Sequence, residues 1–301
     1  MMALALLVPG GSGQLGGDIA RRASEAGAVV RAPGSDDLDV TQAGQAIAAV
    51  RELAALALDE GHQPLVINTA AYTDVDGAES DEQRAFTVNA DGPRGLAAAC
   101  ATTKVPLVHI STDYVFSGDT DRPYVPDDAL SPRSAYGRTK AAGEAAVLAS
   151  GARAWVVRTA WVYGAGGKNF VNTMMRLERE RDALSVVNDQ HGSPTWTYDL
   201  AGGLLELANA IVDGRPPEQQ ALHCTGGGDT TWYEFARAIF AELGADPERV
   251  QPCTTAEFPR PAARPAYGVL SNASWREAGL TPLRDWREAL TAFMASQRAG
   301  V

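Results

Sequence analysis

Tyr136 and Lys140 stand four residues apart, in the segment Ser-Ala-Tyr-Gly-Arg-Thr-Lys ahead of an alanine-rich run that predicts a helix. Residues four apart share one face of a helix, so the lysine ammonium can lie beside the tyrosine hydroxyl. A positive neighbour favours the phenolate, and we therefore expect the pKa of Tyr136 to fall below its ordinary value. Such a tyrosine can give a proton to a carbonyl oxygen near neutral pH. Taken alone, the spacing fits a solvated helical surface just as well.

Three glycines, Gly10, Gly13 and Gly16, follow the apolar run at residues 4–8 and precede a predicted helix. Glycines in this pattern let the backbone approach a pyrophosphate, and the helix N-terminus favours the anion. The alternative is an ordinary glycine turn. We predict a dinucleotide site formed by Gly10, Ser12, Gly13, Gln14, Leu15 and Gly16.

The end of the second predicted strand bears on the choice of cofactor. An acidic residue there would bind the ribose 2′-hydroxyl of NAD, but the run is Val-Val-Arg-Ala-Pro. Arg31 can accept a 2′-phosphate instead, so we expect NADPH, with NADH possible and a solvated arginine as the alternative. Asp39 and Val40 are expected beside the adenine, although Asp39 could equally cap the next helix.

The segment His-Ile-Ser-Thr-Asp-Tyr-Val-Phe ends a predicted strand on two hydroxyl residues. Enough chain separates Thr112 from Tyr136 to leave the strand tip and return as a helix beside it. The carboxyl ends of parallel strands are where such folds build sites. Thr112 can therefore donate to the carbonyl oxygen that Tyr136 protonates, or it can simply cap the local turn.

The first half of the chain alternates short apolar strands with alanine-rich helices, which predicts a doubly wound, Rossmann-type parallel sheet covered on both faces. After residue 163 the rhythm changes, which indicates a smaller C-terminal α/β part that binds substrate. We assign residues 1–163, with roughly 196–220, to the dinucleotide-binding domain. Residues 164–195 and 221–301 are assigned to the smaller domain.

Composition narrows the functional classes. The 301 residues carry a net charge of −11 with no basic cluster, and this charge argues against nucleic acid and anionic membranes as partners. Cys100, Cys224 and Cys253 are far apart, as expected for buried, reduced thiols in a cytoplasmic protein. The N-terminal apolar run is too short and lacks the basic flank of a signal peptide, so we interpret it as a buried strand.

The glycine loop, Ser-Thr-Asp-Tyr-Val-Phe and Tyr-x-x-x-Lys together resemble an extended short-chain dehydrogenase/reductase. Further blocks, in the same order over essentially the whole chain, resemble the dTDP-4-dehydrorhamnose reductase family more closely. These blocks are Asn-Thr-Ala-Ala-Tyr-Thr-Asp-Val-Asp-Gly-Ala-Glu from residue 68, Arg-Thr-Ala-Trp-Val-Tyr-Gly from 158, Asn-Phe-Val-Asn-Thr-Met from 169, Val-Asn-Asp-Gln-His-Gly-Ser-Pro-Thr from 187 and Phe-Pro-Arg-Pro-Ala-Ala-Arg-Pro from 258.

The resemblance implies reduction of the 4-keto group of dTDP-6-deoxy-L-lyxo-4-hexulose to dTDP-L-rhamnose. It makes Tyr136 the proton donor, Lys140 the ribose ligand that lowers the tyrosine pKa, and Thr112 the residue that orients the keto oxygen. Ala70, Ala71 and Tyr72 would line the cofactor. The residues implied around the nucleotide sugar are Thr112, Asp113, Tyr114, Trp161, Asn169, Gln190, Thr195, Arg260 and Arg264.

Five of the implied substrate residues also have a simpler interpretation. Trp161 could be a core aromatic, Gln190 and Thr195 could shape a loop, and Arg260 and Arg264 could be solvated instead of clamping a diphosphate. The histidines show no ligand spacing and are assigned no chemistry. Some relatives carry magnesium at a dimer contact. Asp18 is the residue nearest that pattern, so we predict a monomer or homodimer without assigning a metal.

Four other functions share parts of this pattern. A nucleotide-sugar 4,6-dehydratase needs an Asp-Glu pair after the threonine, whereas Asp113 and Tyr114 follow Thr112 here. This difference favours simple carbonyl reduction, and the later blocks argue against a 4-epimerase. A reductase for another nucleotide sugar, or a non-catalytic Rossmann subunit, stays open.

Overall fold

The structure is a computed structural model and describes residues 3–299. The strands are β1 (Leu4–Leu7), β2 (Val29–Arg31), β3 (Gln63–Asn68), β4 (Leu107–Thr112), β5 (Ala154–Thr159), β6 (Val162–Tyr163), β7 (Leu184–Val187), β8 (His191–Gly192), β9 (Thr195–Trp196), β10 (Ala221–His223), β11 (Thr230–Thr231) and β12 (Val250–Cys253). The α-helices are α1 (Gln14–Glu25), α2 (Ala43–Glu60), α3 (Val75–Ser80), α4 (Glu82–Phe86), α5 (Gly92–Thr103), α6 (Ala135–Leu148), α7 (Phe170–Glu180), α8 (Thr197–Val212), α9 (Trp232–Glu242), α10 (Ala273–Glu277) and α11 (Trp286–Ala299).

The predicted parallel sheet is confirmed. Six strands pair in the order β10-β5-β4-β3-β1-β2, and every pairing between them is parallel. β1 and β3 are neighbours although β2 lies between them in the chain. The loops that follow β1 and β3 therefore open side by side at the carboxyl edge, which is where ligands bind in such sheets.

Alternation along β1 shows how the two faces are covered. Leu4 and Leu6 pack with residues of α1 and α8 in one core, whereas Ala5 and Leu7 pack with residues of α2 and α5 in the other. Successive side chains of a strand point to opposite faces, and an apolar residue at every position therefore requires helices on both. The first strand is buried throughout, as predicted.

A smaller part with its own aromatic core follows the sheet. Tyr163, Trp196, Phe235 and Phe293 are buried there among α7, α9 and α11. Short paired strands, β7 with β12, β6 with β9 and β8 with β11, join its segments. The predicted domain boundary needs one correction, because β10 was assigned to this part but pairs with β5 as the edge strand of the central sheet.

Residues 82–103 form α4, a π-helical turn at Thr87–Asp91, and α5 in succession. One of the three cysteines differs from expectation. Cys100 and Cys224 are buried free thiols, but Cys253 is only half-buried. No helix in the part of the chain that the structure describes combines the length and hydropathy needed to cross a membrane.

Candidate active site

The glycine loop joins β1 to α1 at the carboxyl edge of the sheet. Gly10 has a φ of +83°, in the left-handed region that favours glycine. A Cβ on Gly16 would lie 2.4 Å from the Gly10 carbonyl oxygen, so the helix packs directly on the loop. Within residues 3–299, no side chain caps α1, and its first turn carries no acidic residue. The free N–H groups at Gln14 and Leu15 therefore suit an anionic pyrophosphate.

The segment after β3 contacts the glycine loop. A Cβ on Gly10 would lie 2.7 Å from the Ala70 nitrogen. Asn89, in the π-helical turn, accepts a hydrogen bond from the Tyr72 nitrogen at 2.8 Å and donates to the Tyr72 carbonyl oxygen at 3.1 Å. Ala71 and Tyr72 are half-buried. The structure thus brings residues 70–72 to the place where a cofactor was predicted, and it adds Asn89 as their support.

Arg31 lies at the end of β2, which is an edge strand of the six-stranded sheet. Arg31 pairs with Glu52 at 2.6 Å, and both side chains are partly exposed. The Asp39 carboxylate accepts from the backbone and hydroxyl of the residue two positions on, and α2 begins after Gln42. Asp39 therefore does not cap α2. Val40 is buried, and the adenine contact of these residues stays a prediction.

Helix α6 delivers Tyr136 to the tip of β4. Ser134 caps the helix by accepting from the Gly137 nitrogen at 3.1 Å. A Cβ on Gly137 would lie 2.2 Å from the Tyr114 carbonyl oxygen, so the helix packs directly on the turn after β4. The Thr112 side chain is a hydrogen-bond neighbour of the Tyr136 hydroxyl. The Tyr114 ring meets the Tyr136 ring edge-on, with 5.5 Å between ring centres.

The predicted fall in the pKa of Tyr136 is wrong for this structure. Burial raises the pKa, the negative charge of Asp113 raises it further, and the hydrogen bond with Thr112 only partly opposes both. The Lys140 ammonium is directed elsewhere, since it donates to the Ile110 carbonyl oxygen at 2.7 Å. Tyr136 is therefore a protonated phenol at neutral pH, which is the form that can donate.

Lys140 belongs to a buried polar chain that crosses the sheet. Its Nζ lies 3.4 Å from His109 Nε2, and His109 Nδ1 lies 3.1 Å from Asn68 Nδ2. The Asn68 oxygen accepts from the Ala70 nitrogen at 3.2 Å. Burial lowers the pKa of Lys140 to about 8 and the pKa of His109 well below its usual value. Sequence reasoning missed His109 and Asn68, because they meet only through the pairing of β3 with β4.

The arginine loop, residues 258–268, is tied to α3 by one carboxylate. Asp76 pairs with Arg264 at 2.9 Å and with Arg260 at 3.0 Å, and it accepts from the Ala262 nitrogen at 3.2 Å. The Arg264 guanidinium carbon lies 6.0 Å from the centre of the Tyr114 ring. These converging donors suit a diphosphate, and binding of a diphosphate by these arginines stays a prediction.

Trp161 is held in a strained conformation at the edge of the aromatic core. Its φ is +48°, which a bulky residue rarely adopts. Its ring stacks on Trp232 with 3.4 Å between ring centres, and a Cβ on Gly192 would lie 2.3 Å from the ring. The residue is half-buried, so part of it stays accessible from outside the core. Trp232 is a supporting residue that sequence reasoning missed.

Asn169 links the smaller part of the protein to the glycine loop. Its carboxamide oxygen caps α7 by accepting from the Asn172 nitrogen at 2.8 Å. Its Nδ2 donates to the Gln14 side-chain oxygen at 2.9 Å, and Gln14 donates to the Lys168 carbonyl oxygen at 3.2 Å. The predicted substrate residue and the predicted cofactor residue are therefore in direct contact.

Gln190 and Thr195 are engaged within loops. Gln190 is buried and donates to Thr255 Oγ1 at 2.9 Å. Thr195 is fully buried, donates to the Ser193 carbonyl oxygen at 3.1 Å and accepts from the Gly226 nitrogen at 3.1 Å. These bonds fit the interpretation that both residues shape the loops, and direct contact with substrate stays a prediction.

The Asp18 carboxylate is already paired. It binds Arg21 at 2.8 Å and accepts from Thr197 Oγ1 at 2.5 Å. Across residues 3–299, the structure shows no cluster of three or more His, Cys, Asp or Glu side chains that could hold a metal ion.

The chain is similar to known proteins over nearly its whole length. Residues 4–299 match the family described as RmlD substrate binding domain. A dTDP-4-dehydrorhamnose reductase of Mycobacterium tuberculosis is 48% identical over 97% of this chain and 92% of that protein. A probable dTDP-4,6-dihydroxy-2-methyloxan-3-one 4-ketoreductase of Streptomyces antibioticus is also 48% identical, over 94% of this chain and 92% of its own. A solved dTDP-4-dehydrorhamnose reductase of Bacillus anthracis in complex with NADP has a TM-score of 0.90 and 34% identity, and covers 98% of this chain and 100% of that one.

Proposed function

The chain belongs to the RmlD substrate binding domain family, and on that premise we propose that it reduces the 4-keto group of dTDP-6-deoxy-L-lyxo-4-hexulose to dTDP-L-rhamnose. The observation that carries this proposal is the convergence of Thr112, Tyr136 and Lys140 at the sheet edge beside the glycine loop. The names of the relatives support a dTDP-4-keto sugar as substrate.

NADPH is the proposed cofactor. The uncapped N-terminus of α1 and the close-packed glycine loop fit a pyrophosphate. Arg31 would hold the 2′-phosphate after leaving its exposed partner Glu52, an ion pair of the kind that contributes little stability. Residues 70–72 would line the nicotinamide half, and Lys140 would bind its ribose. When bound, the cofactor supplies the hydride for C4 of the sugar.

The protein's own residues would handle the keto oxygen and the nucleotide. Tyr136, which burial keeps protonated, gives its proton to that oxygen as C4 is reduced. Thr112 orients the oxygen, and Arg260 and Arg264 bind the diphosphate in place of Asp76. Trp161 would contact the sugar through the part of its side chain that stays accessible. In this proposal, residues 164–195 and those following β10 hold the nucleotide sugar.

The test is a reductase assay with purified protein, the dTDP-4-keto sugar and either NADPH or NADH, followed at the nicotinamide absorbance. We expect the nicotinamide to be oxidised only when the sugar is present, and faster with NADPH. Oxidation with neither cofactor would refute the reductase function and favour a non-catalytic subunit.

A reductase for a related dTDP-4-keto sugar is the second candidate. The Streptomyces antibioticus relative, named as a different 4-ketoreductase, is as similar in identity as the Mycobacterium tuberculosis one. Parallel assays with both keto sugars would separate the candidates by kcat/KM.

A further inference from the structure

Asp113 is a buried carboxyl directly beside the proposed proton donor. It opens the 3-10 turn after β4 and is only 3% exposed. Its Oδ1 accepts a hydrogen bond from Thr112 Oγ1 at 2.9 Å. Its Oδ2 has no hydrogen-bond partner among the described residues, and a Cβ on Gly268 would lie 2.6 Å from that oxygen. The protein thus encloses a carboxyl group that is only half satisfied, which is uncommon away from functional sites.

The hydrogen bonds of Thr112 show why this carboxyl matters. A threonine hydroxyl has one hydrogen to donate and two lone pairs to accept. The hydrogen is directed at Asp113, and the Tyr114 nitrogen donates to the same hydroxyl oxygen at 3.2 Å. What remains on the hydroxyl oxygen is a lone pair. A keto oxygen can only accept, so Thr112 as it stands has no hydrogen left for the substrate.

We propose that Asp113 is a positioning residue that decides whether Thr112 can donate to the keto oxygen, and that it permits this only when its carboxyl group is protonated. The protonated carboxyl donates to Thr112 Oγ1, and the threonine hydrogen is released toward the substrate. The ionised carboxylate recaptures that hydrogen. Asp113 transfers no proton to the sugar, since the proton that reaches the keto oxygen still comes from Tyr136. This inference rests on the proposed reductase function.

The surroundings of Asp113 place the change in its protonation near neutral pH. Burial raises the pKa of Asp113 to about 7, against the opposing hydrogen bonds from Thr112 and the backbone. The ionisable groups facing it are Tyr114 on its own turn and Tyr136 on α6. Arg264 lies beyond the Tyr114 ring and is paired with Asp76. The backbone of Gly268 lies on the remaining side of Asp113, next to β8. On that strand, the His191 ring nitrogen lies 4.0 Å from the Asp229 carboxylate.

The same ionisation would act on the tyrosine. The negative charge of Asp113 raises the pKa of Tyr136, so a neutral Asp113 makes the phenol a better acid. Both donors to the keto oxygen are therefore available in the acidic form of Asp113 and impaired in its basic form. We expect kcat/KM to be highest below pH 7 and to fall about tenfold per pH unit above it.

The test compares the pH profile of the wild type with that of Asp113→Asn. The amide has the shape of the carboxyl, carries no charge, and can donate to Thr112 as the protonated acid does. Each profile is normalised to its own value at pH 6, so that the shape of the profile is compared and not its height. Between pH 6 and 8 the wild-type kcat/KM should fall about tenfold, and that of the variant less than threefold. Asp246→Asn, at the start of a remote 3-10 turn, is the matched control and should keep the wild-type profile.

Two outcomes would overturn the proposal. One is an Asp113→Asn variant that is inactive at pH 6 although thermal unfolding shows it folded. The other is a variant that keeps the wild-type alkaline fall. A wild type without turnover would refute the reductase function instead. The ionisation of Asp113 could then still be followed by carbon-13 NMR of its carboxyl group in the ligand-free protein, and a carboxyl already ionised at pH 6 would refute the switch.

Discussion

The carboxyl end of β4 at Thr112 and the arginine loop are proposed to serve one site, but they are held in place in different ways. β4, which ends at Thr112, lies between β3 and β5 in the sheet, and Lys140 from α6 is buried against it with 2% exposure. The arginine loop has no strand within it. Its Arg260 side chain is 48% exposed, and Asp76 ties the loop to α3 through ion pairs and one backbone hydrogen bond.

This difference separates two tasks. Groups that transfer or direct a proton must be held within a fraction of an ångström, and paired strands provide that rigidity. Groups that bind a charged ligand can sit on loops, because exposed ion pairs exchange partners at little cost. Substitutions at the sheet edge should therefore change kcat, and substitutions at the arginine loop should change KM.

The largest effect is expected for Tyr136→Phe, which keeps the ring and removes the proton donor. General acid catalysis of this kind contributes about 10²–10⁴-fold, so kcat should fall about 1,000-fold while NADPH affinity stays unchanged. The measurement is steady-state turnover together with fluorescence titration of the cofactor. Tyr163→Phe is the matched control, since that hydroxyl is buried without a partner in residues 3–299. Retained turnover in Tyr136→Phe would remove Tyr136 from its proposed role.

Lys140→Met should separate activity from stability. We expect kcat to fall about 100-fold with loss of the ribose ligand and the local positive charge. Burial lowers the pKa of Lys140 to about 8, so the folded protein holds the charged form at a disadvantage. The substitution should therefore raise the free energy of unfolding by about 1–3 kcal/mol at pH 7.

The effect of Lys140 on the free energy of unfolding should depend on pH. Between pH 8 and 10.5 the unfolded chain binds more protons at this lysine than the folded protein does. The lysine's contribution to wild-type stability should therefore rise across that window. Lys140→Met should lack this rise, whereas Lys104→Met, at an exposed site, should keep it. Urea unfolding of the wild type and the two variants at pH 7 and pH 10 measures the free energies of unfolding. A Lys140→Met protein that is less stable than the wild type at pH 7 would contradict the expectation.

The smallest effect is expected at the arginine loop, for Asp76→Asn. Removing the counter-charge frees Arg260 and Arg264 for the diphosphate, so KM for the dTDP sugar should fall about threefold to tenfold with kcat nearly unchanged. Calorimetry with dTDP gives the affinity directly. Glu82→Gln, which removes a carboxylate from an exposed pair with Arg138, is the control. A raised KM in Asp76→Asn would mean that Asp76 serves the site by holding the loop in place.

Much of the first region could be predicted from the sequence. The strand–helix alternation, the glycine loop after β1 and the helix carrying Tyr136 and Lys140 all depend on local periodicity and on the conformations that glycine allows. The position of Thr112 at a strand end follows from the same alternation. Such features are set within a few residues of chain, where backbone geometry leaves few choices.

Only the tertiary structure decided how the charges act. The spacing of Tyr136 and Lys140 predicted an acidified phenol, yet the lysine donates to Ile110 on β4, and burial with Asp113 raises the tyrosine pKa. The pairing of Asp76 with two arginines lies outside any motif as well. A pKa depends on what surrounds a group from every side. Those neighbours come from strands, helices and loops that are distant in the sequence and meet only in the fold.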